Sequence, residues 1–232
     1  MINDRQKNNK IWTHYQDKGE GCFDTAYPRL KYLAKRCSPG AIVLNVGAGS
    51  GYLESVLNQR GAIAHTLDPI ESTITHLNER QGMDGRAKQG YCDAIPFPHA
   101  SFDYVVMTEV LEHIHEEYLE DSLREVKRVL KRGGRFIGTV PYKENLIESE
   151  VFCPYCASQF HRWGHVQSFD LVTLKSLLEN CGFEVEQLQV RAFPDFSRPG
   201  IKSFLKAVFR YVLGRMGESI VGPNIYFVCR PK

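Results

Sequence analysis

From residue 41 onward, the apolar positions of the chain switch between two rhythms. Short β-branched or alternating runs at residues 41–46, 62–67, 86–91, 102–107, 135–140, 183–190 and 224–229 carry the pattern of strands. Between them apolar residues return at helical spacing, as in Ile70, Ile74 and Leu77, in Leu119, Leu123, Val126 and Leu130, and in Leu171, Leu174, Leu177 and Leu178. Strands that alternate with helices predict an α/β fold, a sheet covered by helices on both faces. The run at 41–46 is apolar almost throughout, as a strand buried on both sides requires. Punctuation agrees with this reading. Gly51 opens one helix and Gly61 closes it, Asp68-Pro69 introduces the next, and Gly133-Gly134 and Gly182 stand where two others should end.

Two stretches break the rhythm. Residues 141–168 are rich in Pro, Cys, His and aromatics where a short connection would suffice, and residues 191–223 hold a basic helical segment. The chain therefore divides into a helical N-terminal cap (1–39, with Ile11, Trp12 and Tyr15 over one end of the core), a first half of the sheet (40–140), a Cys/His insertion (141–168) and the remainder of the sheet (169–232). At 232 residues, all of this fits one domain with one sizeable core. The first ten residues are polar and no apolar run approaches the roughly 18 residues of a membrane span. With seven cysteines, an odd number, the chain reads as cytoplasmic with free thiols rather than as a disulfide framework. A formal charge of +2 gives no electrostatic footprint for nucleic acid.

The segment Asn45-Val46-Gly47-Ala48-Gly49-Ser50-Gly51 lies between a buried strand and a helix, where glycines let the backbone turn tightly and approach a ligand. It is not the dinucleotide pattern, because Tyr52 occupies the place of the third glycine, and no Gly-Lys-Ser/Thr of a phosphate loop follows. The G-x-G-x-G loop resembles the first motif of class I methyltransferases that use S-adenosylmethionine (SAM), a broad group of metabolite methyltransferases. Asp68 at the end of strand two, and Asp93-Ala94-Ile95-Pro96-Phe97 followed by Ser101-Phe102-Asp103, extend the resemblance over residues 40–190. The resemblance implies a Rossmann-like, seven-stranded, mostly parallel sheet whose last strand is antiparallel. It also implies SAM as cofactor, bound by Asn45, Gly47, Ala48, Gly49, Gly51, Asp68, Asp93, Ala94 and Glu109. In that family Asp68 takes the ribose hydroxyls and Asp93 the adenine amino group; Asn45 stands where an acidic residue is usual.

After strand four, His113 and His115 are the candidate general bases for an acceptor hydroxyl. Glu109-x-x-Glu112-His113 also resembles the divalent-metal motif of small-RNA 2′-O-methyltransferases and ubiquinone-pathway O-methyltransferases, with His165 as a downstream partner, which brings in Mg²⁺ as an alternative cofactor. Cys153, Cys156, His161 and His165 have the spacing C-x2-C-x4-H-x3-H, a ligand set that suits structural zinc. Ile201, Phe204, Leu205, Val208, Phe209, Val212 and Leu213 share one helix face opposite Lys202, Lys206 and Arg210, a pattern that fits peripheral membrane contact through residues 201–213. The resulting expectation is O-methylation of a small or lipid-linked metabolite such as a sugar or glycan intermediate. The alternatives are an RNA methyltransferase that uses the Cys/His insertion, and a catalytically silent SAM-binding regulator.

Overall fold

β1 (Ile42–Val46) is buried from Val43 onward, because neighbouring strands flank it and helices cover both of its faces. It is the centre of a computed structural model that describes residues 4–18, 26–195, 200–215 and 223–232. β1 pairs in parallel with β2 (Ile63–Asp68) on one side and with β4 (Phe102–Thr108) on the other. β3 (Ala87–Gln89) and β5 (Leu130–Pro141) extend the parallel sheet in the two directions. β8 (Phe183–Arg191) forms one edge, and β9 (Asn224–Pro231) fits antiparallel between β5 and β8. The order β3-β2-β1-β4-β5-β9-β8 confirms the expected seven-stranded sheet with an antiparallel last strand.

Helices divide between the two faces as the apolar spacing requires. α2 (Tyr27–Ala34), α3 (Tyr52–Gln59) and α4 (Glu71–Arg80) send Leu30, Leu33, Leu53, Leu57, Ile74 and Leu77 into one core. α5 (Glu116–Val129) and α6 (Leu171–Asn180) bury Leu119, Leu123, Val126, Leu174 and Leu178 in the other. Asp170 caps α6 by accepting from the backbone N–H groups of Val172 and Thr173, while the Thr173 hydroxyl accepts from the Asp170 N–H.

Several boundaries differ from the sequence pattern. α5 ends at Val129 rather than at Gly133-Gly134, because Leu130 is already extended and pairs with Phe102, so that the glycines fall inside β5. The third strand contracts to three residues. The Cys/His insertion contains a small hairpin, β6 (Glu150–Phe152) with β7 (Gln159–His161). α1 (Asp4–Lys18) and α7 (Ile201–Arg215) complete the described elements.

β1 and β4 are adjacent, yet the chain leaves them toward opposite sides of the sheet. That reversal opens a crevice beyond their carboxyl ends, the place where open parallel sheets bind ligands. β5 packs tightly beside β4. A Cβ on Gly138 would lie 2.4 Å from the Met107 carbonyl oxygen and 2.4 Å from Cζ of Phe227. Gly138→Ala is therefore expected to destabilise the fold by about 1–3 kcal/mol, lowering the thermal midpoint by about 2–4 °C per kcal/mol in a differential scanning measurement.

Candidate active site

The crevice is a cavity of ≈ 450 Å³ whose floor is the loop after β1. Asn45, Gly47, Ala48 and Gly49 line it, with Asp68 from the end of β2, Asp93, and Glu109 from the end of β4. Gly47 has φ +86°, and a Cβ there would stand 2.7 Å from the Val110 side chain, so close backbone approach is built into this position. Asp68 is buried; its oxygens accept the N–H groups of Ala48 and Ile70, both at 2.9 Å. The carboxylate thus pins the glycine loop to β2 and retains lone pairs for a ligand. Burial pushes the Asp68 carboxyl up to about 6.

Two predicted cofactor residues stand outside this lining. Gly51 serves the fold: at φ +75° it is the N-cap of α3, and a Cβ there would meet Gln81 and Leu77 at 2.5 and 2.6 Å. Ala94 is turned into the chain reversal after β3, its N–H donating to the Tyr91 carbonyl. Asn45 lines the cavity, but its side-chain N–H₂ donates downward to Glu54 at 2.7 Å. Glu54 is fully buried and also accepts from the Thr66 hydroxyl at 2.6 Å, and burial raises its pKa. The acidic group expected in place of Asn45 is thus present one layer deeper. Sequence reading missed Glu54 because the third residue of a helix ordinarily faces solvent.

α1 roofs the cavity. Arg5 donates to Asp93 at 2.7 Å and lies over the ring of Tyr118, and Asn9 donates to the Tyr91 hydroxyl at 2.8 Å. Trp12 meets the His113 ring edge-on at 5.0 Å, and Tyr15 packs against Trp163 at 4.7 Å. The cap expected from Ile11, Trp12 and Tyr15 therefore covers a ligand chamber rather than only the end of the core.

Beside the cavity, a short 3-10 turn over Leu111–His113 brings His113 to the lining and buries Glu112 outside it. Glu112 is fully buried, and neither carboxylate oxygen has a hydrogen-bonding partner among the described residues. Burial raises its pKa well above the ordinary carboxylate range, and the Glu109 charge adds to this. His113 Nδ1 lies 3.2 Å from the Gly164 carbonyl, which can only accept; Nδ1 carries the proton, and the lone pair is left on Nε2, itself shielded and without a partner. Burial and the neighbouring His165 hold His113 neutral, down to about 3. His115 also lines the cavity, at the N-cap of α5, with a buried and unpartnered Nε2.

Ligand atoms of Glu112, His113 and His165 lie within 4.8 Å of one another, as do those of Glu144, His161 and His165. Glu109 does not join either group. Its backbone is left-handed at φ +56°, and its carboxylate accepts from Thr139 and twice from Asn224 at 3.0 Å, with Arg29 at 3.6 Å. The expected four-ligand zinc set does not converge. Cys153 and Cys156 sit at the solvent-facing turn of the β6–β7 hairpin, whereas His161 and His165 point into the core with Glu144, so no cluster of potential ligands among the described residues includes a cysteine. The apolar residues of α7 are largely uncovered, with Ile201 80% and Phe209 63% exposed, while Ala207 is buried; the side chains of Phe204 and Arg210 lie outside the described residues. Among the described residues no helix is long and apolar enough to cross a membrane.

Comparison with known proteins agrees with the geometry. A family model described as a methyltransferase domain matches residues 20–188. The chain is 32% identical over 154 residues to a Mycolicibacterium smegmatis protein described as a "probable S-adenosylmethionine-dependent methyltransferase", an alignment that covers 66% of this chain and 56% of that one. It is 30% identical over 171 residues to the human mitochondrial ubiquinone biosynthesis O-methyltransferase, with 68% and 45% covered. The chain thus spans about half the length of the curated relatives it matches. In fold it is similar to the Burkholderia thailandensis 1,6-didemethyltoxoflavin-N1-methyltransferase solved with its substrate and S-adenosylhomocysteine, at a TM-score of 0.68 and 17% identity over 100% of this chain and 92% of that one. With its glycine loop, its Asp68 anchor and its sheet order, this chain belongs to the methyltransferase domain family of S-adenosylmethionine-dependent enzymes.

Proposed function

We propose that this protein transfers the methyl group of SAM to an oxygen of a small hydroxylated acceptor, sugar-like in kind, beside a divalent ion held by Glu112, His113 and His165. The observation that carries the reading is one chamber lined both by the Gly47–Gly49 loop with Asp68 and by His113 and His165, with the Glu112 carboxylate, buried outside the lining and unpartnered among the described residues, within 4.8 Å of both imidazoles. The residues fit a cation. Glu112 offers two oxygens and His113 one nitrogen lone pair, all buried, and none has a donor to satisfy it among the described residues. One carboxylate with imidazoles suits Mn²⁺ or a similar ion better than Mg²⁺, which favours oxygen ligands. The O-methyltransferase named among the relatives supports oxygen as the acceptor atom.

Bound together, SAM supplies an electrophilic methyl on its sulfonium, and the ion makes an acceptor hydroxyl more acidic. The chain's own work is positioning, which in a displacement of this kind is worth about 7–11 kcal/mol in favourable cases. The glycine loop admits the methionine end of SAM close to the backbone, and the Asp68 carboxylate accepts from the ribose hydroxyls. Trp12, Tyr15 and Trp163 line the chamber and shield it from water, presenting faces on which a ring can lie. His115, at the chamber wall, is placed to receive an acceptor proton.

Two outcomes are expected. The first concerns the pH dependence of cofactor affinity. Asp68 must be ionised to accept from both ribose hydroxyls, and its pKa is raised to about 6. Affinity for S-adenosylhomocysteine, measured by calorimetry between pH 5 and 8, should be full above pH 6 and fall as pH drops through it. The contribution of Asp68 to the stability of the ligand-free fold runs the other way, because a raised carboxyl pKa favours the folded state as pH falls from about 6 toward the unfolded value. Asp68→Asn should weaken binding throughout and flatten the dependence; a dependence of affinity that survives in this variant would refute the assignment. The second concerns turnover. With a panel of hydroxylated acceptors, release of S-adenosylhomocysteine should require Mn²⁺ or Mg²⁺, stop on chelation, and fall at least about 100-fold in Glu112→Gln. Activity indifferent to chelator removes the ion from the reading, and cofactor binding without turnover of any acceptor marks a binding protein instead.

A further inference from the structure

Glu144 lies just beyond β5, in the segment that leads to the β6–β7 hairpin, and none of the roles assigned so far uses it. One of its oxygens is in close hydrogen-bonding contact with Nδ1 of His165, and the other lies 3.6 Å from Nε2 of His161. The tautomers of the whole cluster follow from these partners. His161 Nδ1 accepts the backbone N–H of His165 at 3.1 Å and of Trp163 at 3.4 Å, so the His161 proton sits on Nε2 and faces Glu144. A carboxylate at His165 Nδ1 draws the His165 proton to that nitrogen as well, which leaves the lone pair on Nε2. His165 Nε2, like His113 Nε2, is then left as the acceptor, and a ligand atom of each imidazole lies within 4.8 Å of one of Glu112.

We propose that Glu144 is a positioning residue: it fixes the tautomer and orientation of His165 so that three acceptor atoms, from Glu112, His113 and His165, converge on one cation. This rests on the reading that the ion sits among those three residues. The arrangement is the carboxylate–histidine–metal relay by which a partner carboxylate orients an imidazole ligand and raises its basicity. Glu144 and His161 also join the insertion to the site. The backbone N–H groups of Val166 and Gln167 donate to the Glu112 carbonyl at 2.8 and 3.1 Å, so the segment just after His165 is tied to the turn that carries Glu112 and His113. Glu144, 19% exposed, is oriented toward the two imidazoles rather than toward the cofactor loop, and its loss should leave the SAM end of the chamber intact.

The test is calorimetric titration of Mn²⁺ into the full chain saturated with S-adenosylhomocysteine. The wild type should take up one ion per chain. Glu144→Ala should weaken that affinity by about 10–100-fold. Glu144→Gln, whose amide oxygen can still accept the Nδ1 proton, should recover a large part of the loss, and affinity for S-adenosylhomocysteine should stay unchanged in both variants. An alanine variant that binds Mn²⁺ as tightly as the wild type overturns the proposal while leaving the ion reading in place. So does uptake of two ions by the wild type falling to one in the variant, because Glu144 would then be a ligand of a second ion with His161 and His165. Equal losses in both variants, accompanied by loss of cofactor affinity, would assign Glu144 to general stability and also overturn it. No Mn²⁺ uptake by the wild type would remove the ion reading itself, and the proposal with it.

Discussion

The site is organised around the burial of one carboxylate. The Glu112 carboxylate is wholly removed from water and accepts no hydrogen bond from the described residues, a state that costs several kcal/mol for an isolated charge unless a partner or a proton offsets it. Everything nearby accommodates that cost without relieving it. His113 is held neutral, Glu144 contacts His165, and Glu109, whose charge raises the Glu112 pKa further, is engaged by Arg29, Thr139 and Asn224. Ligand atoms of Glu112, His113 and His165 lie within 4.8 Å of one another, and those of Glu112 and His113 Nε2 have no donor among the described residues, an arrangement that suits the proposed cation.

The position of that site follows from topology. The reversal of strand order between β1 and β4 leaves a crevice at their carboxyl ends, and the two chemical ends of the chamber are the loops leaving those strands. The glycine loop is pinned from behind by Asp68 and from below by the Asn45–Glu54–Thr66 cluster. The 3-10 turn after β4 is held by backbone bonds from the insertion. The sheet thus fixes the spacing of the two loops, while α1 and the insertion supply the aromatic walls Trp12, Tyr15 and Trp163.

Much of this was legible in the sequence where it rests on local backbone chemistry. The alternation of strands and helices, the G-x-G-x-G turn and Asp68 at a strand end are written in neighbouring residues, and the sheet order bears out the family resemblance. Roles that depend on distant partners were not legible. Glu54 reads as a solvent-facing helix residue until β2 places Thr66 beside it. Gly51 matches a ligand motif, yet answers to Leu77 on α4 and Gln81 at its end. The C-x2-C-x4-H-x3-H spacing suggested one site because sequence distance is short. A β-hairpin, however, sends its turn and its end in opposite directions, leaving Cys156 exposed and Cys153 half-buried at the turn while His161 and His165 pack inward with Glu144. Glu144 carries no motif at all, and its role emerges only from the tautomers its neighbours impose.

The most direct measurement is a crystal structure of the full chain grown with S-adenosylhomocysteine and Mn²⁺, with anomalous differences collected at the manganese edge. The account predicts the nucleoside along Gly47–Gly49 and Asp68, and one anomalous peak bounded by Glu112, His113 and His165. A nucleoside elsewhere, or a peak confined to Cys153 and Cys156 with none beside Glu112, would contradict it.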